Sequence, residues 1–194
     1  VYRRWGKRGF DLAAASLLLI LAAPAMAVVA LLVRARLGAP VLFRQRRAGC
    51  EGVPFEVLKF RTMRDGPGDD ADRLTPLGRL LRATALDELP QLHKVLRGEM
   101  SLVGPRPLLP EYAPHYTPRQ ATRLSVRPGL CGLAQSKGRN GVPWEERLEW
   151  DALYVERITL AGDLRILWDC ACVLVRGEGV SMPGHATMAR FDRS

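Results

Sequence analysis

The sequence predicts an α+β fold, helix-rich and of monotopic membrane type, with an N-terminal re-entrant membrane helix hairpin, a small β-hairpin and amphipathic interfacial helices. Three observations predict it. Residues 12–33 are an apolar run relieved only by Ser16 and Pro24; residues 40–60 hold two short runs rich in Val, Phe and Leu around a glycine-containing turn; residues 144–176 show helical periodicity. The 194 residues suffice for one ordinary core, and no repeat is visible. The expected division is 1–36, an interfacial segment and membrane helix, and 37–194, a cytoplasm-facing domain acting as one functional unit. A formal net charge of +9 and a pI near 10.0 call for an anionic partner. Nucleic acid is disfavoured, because no RNP, helix-turn-helix or zinc-finger pattern accompanies the charge.

The first ten residues mix Arg3, Arg4, Lys7 and Arg8 with Tyr2 and Trp5, as at a cytoplasmic membrane interface. A straight helix over 12–33 would be about 33 Å long, enough for a hydrocarbon core of about 30 Å. Arg34 and Arg36 follow at once, so a spanning helix would strand one basic cluster on the wrong side. Pro24 near the midpoint suggests a break at Ala23-Pro24, and hence entry into and return from one leaflet. A cleaved signal peptide is a weaker account, since the apolar run continues past Ala25-Met26-Ala27. A buried core helix fits poorly with a run that is apolar all round.

Strands are expected over 40–44 and 55–60 with a turn over 46–53. Arg44, Arg46 and Arg47 could then touch lipid phosphate or sit solvated at the hairpin tip. Residues 64–73 read as an acidic loop, with Asp69, Asp70 and Asp72 solvated rather than metal-binding. Thr75-Pro76 starts a helix on which Arg79 and Arg82 share a face, a match for a diphosphate. Pro90 suits a first helical turn, making Asp87 the N-cap beside Glu88, and Gly98 closes that helix. The turn Gly104-Pro105-Arg106-Pro107 holds Arg106 out on a stiff backbone. Taken alone, the local sequence favours a plainer account, in which Asp87 only caps, Glu88 decorates the first turn and the arginines are solvated.

Residues 108–118 are a proline-rich connector, and Arg127-Pro128-Gly129-Leu130-Cys131-Gly132 is a turn whose glycines allow close backbone approach. Lys137-Gly138-Arg139-Asn140 could complete an anion site. Helices are expected over 144–158 and 160–176. In the second, Leu164, Leu167, Trp168, Ala171, Leu174 and Val175 form an apolar face, assigned mostly to the core, with the headgroup region as the alternative. Asp151 and Tyr154 read as an ordinary surface pair. Cys50, Cys131, Cys170 and Cys172 suggest neither a disulfide framework nor a zinc knuckle, and His93, His115 and His185 have no metal-ligand spacing. No Walker or Rossmann pattern supports ATP or NAD chemistry. The tail, 178–194, reads as loose.

FRQRRAG, KFRTM, LDELPQ, GEMSLVGPRP and RPGLCGLAQ, in this order, resemble the bacterial sugar transferases known as monotopic phosphoglycosyl transferases, over residues 8–177. The resemblance implies transfer of a sugar phosphate from a UDP-sugar to a polyprenol (undecaprenyl) phosphate with release of UMP, at the cytoplasmic face of the inner membrane, to initiate glycoconjugate or polysaccharide assembly. It implies that Asp87 is the nucleophile, with a covalent phosphosugar-aspartyl intermediate and ping-pong kinetics. The rival is a non-enzymatic basic module that binds anionic lipid or nucleic acid. Arg127 is carried over as part of the nucleotide contact, and Asp151 and Tyr154 match a D-x-x-Y pattern common in the family. The family's phospholipid-membrane hairpin often carries a serine before its proline, where this chain has Ala23, so the freed Ile20 carbonyl needs another partner. Hard phosphate and carboxylate oxygens point to Mg²⁺, held at Asp87 and Glu88, with Arg79, Arg82, Arg106 and Arg127 on phosphates. Glu88 could bind the cation or assist acceptor deprotonation, and both roles remain open. No motif selects the sugar or the oligomeric state.

Overall fold

In the computed structural model, which describes residues 1–177, 179 and 191, one helix organises the rest. After an initial helical turn over Tyr2–Gly6, α1 (Lys7–Leu37) continues for 31 residues. The chain then forms an antiparallel hairpin of β1 (Leu42–Ala48) and β2 (Pro54–Phe60), a short α2 (Asp70–Arg73), and α3 (Pro76–Ala83). A 3₁₀ turn over Leu86–Gln91 leads into α4 (Leu92–Leu96) and β3 (Ser101–Val103). A second 3₁₀ turn over Pro110–His115 precedes α5 (Pro118–Ala121), β4 (Gly129–Cys131) and α6 (Leu133–Ser136). The long helices α7 (Trp144–Glu156) and α8 (Leu160–Val175) follow. Strand β3 pairs with β4 in parallel.

The helix is continuous through Pro24, which corrects the expected division into two helices at Ala23-Pro24. Proline removes one ladder bond and crowds the preceding turn, at a cost of about 3 kcal/mol in a helix interior. Here both flanks are held. Before Pro24, Ala15 packs with Leu92, Val95, Met100, Leu102, Val103, Tyr154 and Ile166. After it, Val29 and Val33 pack with Phe60 and Leu81. The remaining faces of α1 are exposed and apolar, including Leu17, Ile20, Leu21, Val28 and Leu31.

Polar contacts fix both ends. Asp11, buried inside the helix, accepts from Ser101 Oγ and from Leu102 N–H, each at 3.0 Å, and so ties α1 to β3. Arg8 donates to the Val95 and Leu96 carbonyls at the end of α4, where a cation suits the negative pole. Lys7 and Tyr2 converge on Asp163 of α8, at 2.6 and 2.7 Å. Basic residues expected to face headgroups are therefore partly committed inward. At the other end, Arg61 donates to the carbonyls of Leu37, Gly38 and Ala39.

Other expectations shift in register. Strand β1 runs to Ala48, so Arg46 and Arg47 lie within the strand and the turn narrows to 49–53. The glycines of the Arg127–Gly132 segment serve a neighbouring backbone: a Cβ on Gly129 would meet the Gly104 nitrogen at 2.1 Å. On α8, Asp163, Ile166 and Val173 face inward, while Leu164, Trp168 and Val175 are exposed, so the apolar face assigned mostly to the core is largely on the surface. Asp151 and Tyr154 are buried, which corrects their reading as a surface pair. Asp69, Asp70 and Asp72 are exposed and the four cysteines are free thiols. Apart from 179 and 191, the tail lies outside the described residues, as does His185.

Replacing Asp11 by alanine leaves the Leu102 N–H buried without its acceptor, while the Ser101 hydroxyl keeps the Val103 carbonyl at 2.9 Å, and a loss of about 1–3 kcal/mol is expected. The midpoint of thermal unfolding followed by circular dichroism in detergent micelles should fall for Asp11→Ala. Exposed Asp72→Ala should leave it in place; equal midpoints for the two variants would contradict this role for Asp11.

Candidate functional site

The 3₁₀ turn over Leu86–Gln91 carries the two adjacent carboxylates. Thr75 caps α3 as expected, its Oγ1 accepting from Gly78 N–H at 2.9 Å. Ala85 then adopts a left-handed conformation, φ +55°, and occupies the cap position where Asp87 was expected; Asp87 lies inside the turn instead. Leu86 packs beside Phe60 and Leu81, and Leu89 beside Leu92 and Val95, so the turn bridges both cores. Gly98, φ +79°, follows α4 as its closing residue.

Both carboxylates line a cleft of about 630 Å³ between the hairpin, α3 and the start of α7. Nine lining cations face four carboxylates there, so the cleft selects polyanions. Glu88 is claimed twice. Lys59 Nζ lies 2.6 Å from its Oε1, and the Arg106 guanidinium forks onto both oxygens at 2.7 and 3.3 Å. Burial alone would raise the Glu88 pKa, but Arg106 and Lys59 outweigh it and hold the carboxyl well below the usual range. Burial depresses Lys59, and Glu88 raises Arg106.

Asp87 has the opposite environment. Among the described residues it joins no ion pair within 4.0 Å. Burial first, and the Glu88 charge second, push its pKa up to about 6, with Lys59, Arg82 and Arg106 opposing. Two neighbouring carboxyls are thus driven apart, one fixed as a counter-anion and one left with lone pairs for a ligand.

Arg106 owes its place to groups behind it. Arg123, 3 % exposed, donates to the Arg106 carbonyl at 2.6 Å while its guanidinium pairs with Asp151 at 2.8 Å. Arg139, another residue with positive φ, donates to the Arg82 carbonyl at 2.8 Å, and Arg147 donates to the Arg139 carbonyl at 2.6 Å. Arg147 also stacks over Trp144, 5.5 Å from the ring centre. Tyr112 and Trp144 form an aromatic wall of the cleft, with ring centres 5.7 Å apart.

The expected site residues divide accordingly. Asp87, Glu88, Arg82 and Arg106 come together, and Arg139 and Asn140 join them. Arg79 does not: it is exposed and donates to the Leu74 carbonyl, so the Arg79–Arg82 pair is split. Arg127 is also exposed, donating to the Gly98 carbonyl at 2.8 Å. Sequence reasoning missed Lys59, although it stands in KFRTM, and missed Arg123, whose partner is 28 positions away. Of the two carboxylates expected to hold a cation, Glu88 is saturated by its cations. Among the described residues no three His, Cys, Asp or Glu gather as a metal-binding group. The donor set fits a hard divalent cation only through Asp87, its other ligands coming from phosphate oxygens and water.

The family model described as bacterial sugar transferase matches residues 2–177. The chain is 46% identical, over 97% of its length and 96% of the relative's, to the uncharacterized sugar transferase EpsL of Bacillus subtilis. It is 44% identical to the UDP-glucose:undecaprenyl-phosphate glucose-1-phosphate transferase of Caulobacter vibrioides, over 83% of this chain and 66% of that protein. With the undecaprenyl-phosphate galactose phosphotransferase of Salmonella typhimurium it shares 36% identity over 91% of this chain, which spans 42% of that longer protein.

Carbon-13 carboxyl NMR on detergent-solubilised protein should find Asp87 titrating near pH 6. In Glu88→Gln the charge that raises Asp87 is gone and Lys59 and Arg106 are released toward it, so the Asp87 midpoint should move down. An upward or absent shift would contradict this electrostatic coupling.

Proposed function

The chain belongs to the bacterial sugar transferase family, and on that premise we propose that it transfers a sugar phosphate from a UDP-sugar to undecaprenyl phosphate, releasing UMP. The observation that carries this reading is Asp87: a buried carboxylate without an ion-pair partner, beside a neutralised Glu88, on the floor of a strongly cationic cleft. A transferase fits the family and leaves no need for the non-enzymatic lipid- or nucleic-acid-binding alternative.

On this reading the donor's diphosphate enters between Arg82, Arg106 and Arg139, whose charge offsets the repulsion between a carboxylate and a phosphoanion. An Asp87 oxygen attacks the β-phosphorus. The bond from that phosphorus to the bridging oxygen breaks, and the electron pair leaves with UMP. The phosphosugar remains on Asp87 as an acyl phosphate. A phosphate oxygen of the acceptor then attacks the same phosphorus and displaces the carboxylate, which regenerates the enzyme and gives ping-pong kinetics. With a pKa of about 6, Asp87 is mostly ionised at neutral pH and needs no base. Glu88 is too acidic to take a proton from the acceptor; its part is to hold Lys59 and Arg106. Mg²⁺ at Asp87, when bound, would neutralise charge on the diphosphate.

The membrane arrangement follows from α1. Ala15 and Val33 lie 18 residues apart yet both pack on this one catalytic body. A helix crossing the bilayer upright would draw the charged hairpin and α3 into hydrocarbon along with it. This supports seating in a single leaflet, with the exposed apolar faces of α1 in lipid and the catalytic cleft at the cytoplasmic face of the inner membrane.

Asp87→Asn should abolish UMP release from UDP-glucose or UDP-galactose in the presence of undecaprenyl phosphate, and mass spectrometry of wild-type protein given donor alone should find a phosphosugar adduct on Asp87. Wild-type rates in the Asn variant would end the proposal. Arg106→Ala should lower kcat/KM by about ten- to a hundredfold, the loss of one charge-assisted contact. Arg79→Ala and Arg127→Ala, which alter residues outside the cleft, should stay within about twofold of wild type.

A further inference from the structure

Strand β1 lays three unlike side chains along one wall of the cleft. Phe43, Gln45 and Arg47 alternate with Arg44 and Arg46, so the period of two puts the first three on the cleft face. Arg44 turns the other way and pairs with Glu56 at 3.1 Å. Along the cleft face the character runs from apolar through neutral polar to cationic. Arg47, at the inner end, shares a small recess with Lys59, Glu88 and Arg106.

The outer end is set by Phe43. The residue is 45% exposed, and nothing in the two cores covers it. Directly opposite it in the ladder stands Lys59, whose Nζ is 2.6 Å from Glu88. The exposed ring is thus one cross-strand pair from the reacting carboxylates. Its neighbour Leu42 packs with Phe60 against Val29 and Val33 of α1, and the far side of α1 exposes Val28, Leu31 and Leu32. Phe43 therefore stands at the start of the hairpin that packs on the lipid-facing helix, and along the cleft face cations take over from there.

We propose that the Phe43 side of the cleft is the entry lane of the acceptor, with the first isoprene units of the polyprenyl chain resting on Phe43 and its phosphate directed inward to Lys59 and Arg47. The inference rests on the acceptor being a polyprenol phosphate. An amphiphile with one anionic head and an apolar tail is the ligand whose two ends match the two ends of this lane. The nucleotide end of the donor is left with the opposite wall, at Tyr112, Trp144 and Arg139.

The test uses the full chain in nanodiscs. Phe43→Gln, which removes the apolar contact without placing a charge opposite Lys59, should raise the KM for undecaprenyl phosphate by about tenfold. The burst of UMP released from UDP-glucose or UDP-galactose before acceptor is added should be unchanged. Phe43→Leu, which keeps an apolar side chain, should raise that KM less than Phe43→Gln, and Val53→Gln at the exposed hairpin tip should change neither quantity. An unaltered acceptor KM in Phe43→Gln, or equal losses in burst and acceptor turnover, would overturn the lane. Absence of a burst from the wild-type protein would instead count against the covalent reading. The lane is then decided by photolabelling with a diazirine-bearing farnesyl phosphate: label on the β1–β2 hairpin supports it, and label confined to other segments overturns it.

Discussion

The site depends on one carboxylate held between two cations. A cleft lined by so many arginines would ordinarily draw any carboxylate within it into an ion pair, and a carboxylate in a bidentate guanidinium grip is a poor nucleophile and a poor ligand. Glu88 takes that place. By accepting from Lys59 and Arg106 together it satisfies the nearest cations, and its residual charge raises Asp87. The adjacent pair therefore works as an asymmetric unit in which one member is consumed so that the other stays available. The same fork that Arg106 presents to Glu88 would suit a phosphate, so substrate can compete for the guanidinium without rearranging its backbone.

That backbone is fixed at a distance. The Gly104–Gly129 approach brings the Arg106 turn against β4, and Arg123, paired with Asp151, clamps the Arg106 carbonyl from behind. Two buried charges are costly unless paired; the Arg123 guanidinium donates twice to one Asp151 oxygen, at 2.8 and 3.1 Å, and the charge of Arg147 adds a longer-range attraction. The electrostatics of the turn that carries Asp87 and Glu88 are thus inherited from α5, α7 and the segment between them. The turn itself hangs from α1 through Leu86 and Leu89, one in each core, so the helix read as a membrane element also supports the turn that carries the two carboxylates.

What the sequence disclosed and what it withheld follow a physical divide. Local rules placed the Thr75 cap, the Gly98 stop, both long C-terminal helices and the hairpin, because each rests on contacts within a few residues. Asp87 as a cap failed because Ala85 took a left-handed conformation that no propensity scale favours for alanine. Arg79 and Arg127 were drawn to phosphate by their spacing and by motif, yet tertiary placement set them to bind carbonyls on the outer surface. Lys59 and Arg123 escaped notice because their partners lie 29 and 28 residues away and no periodicity links them. Pro24 was read as a break because a lone helix would fray there; contacts on both sides of it supply what the missing ladder bond removes.

The distribution of apolar and charged surface around the cleft bears on how two anionic substrates use one nucleophile. Were both to arrive from water, two cationic mouths would serve, and an exposed ring at Phe43 would have no purpose. The cleft has instead one rim at Phe43, on the hairpin that packs against α1, and another closed by Tyr112, Trp144 and Arg147. Between them lies Asp87, a carboxylate without an ion pair among the described residues. On the proposed reading, donor and acceptor need never be bound together: the first leaves its phosphosugar on Asp87 and departs as UMP, and the second brings its phosphate in along Lys59 and Arg47. Order of binding then comes from shape and charge alone, since an acceptor headgroup reaching an unmodified Asp87 meets a carboxylate and no electrophile.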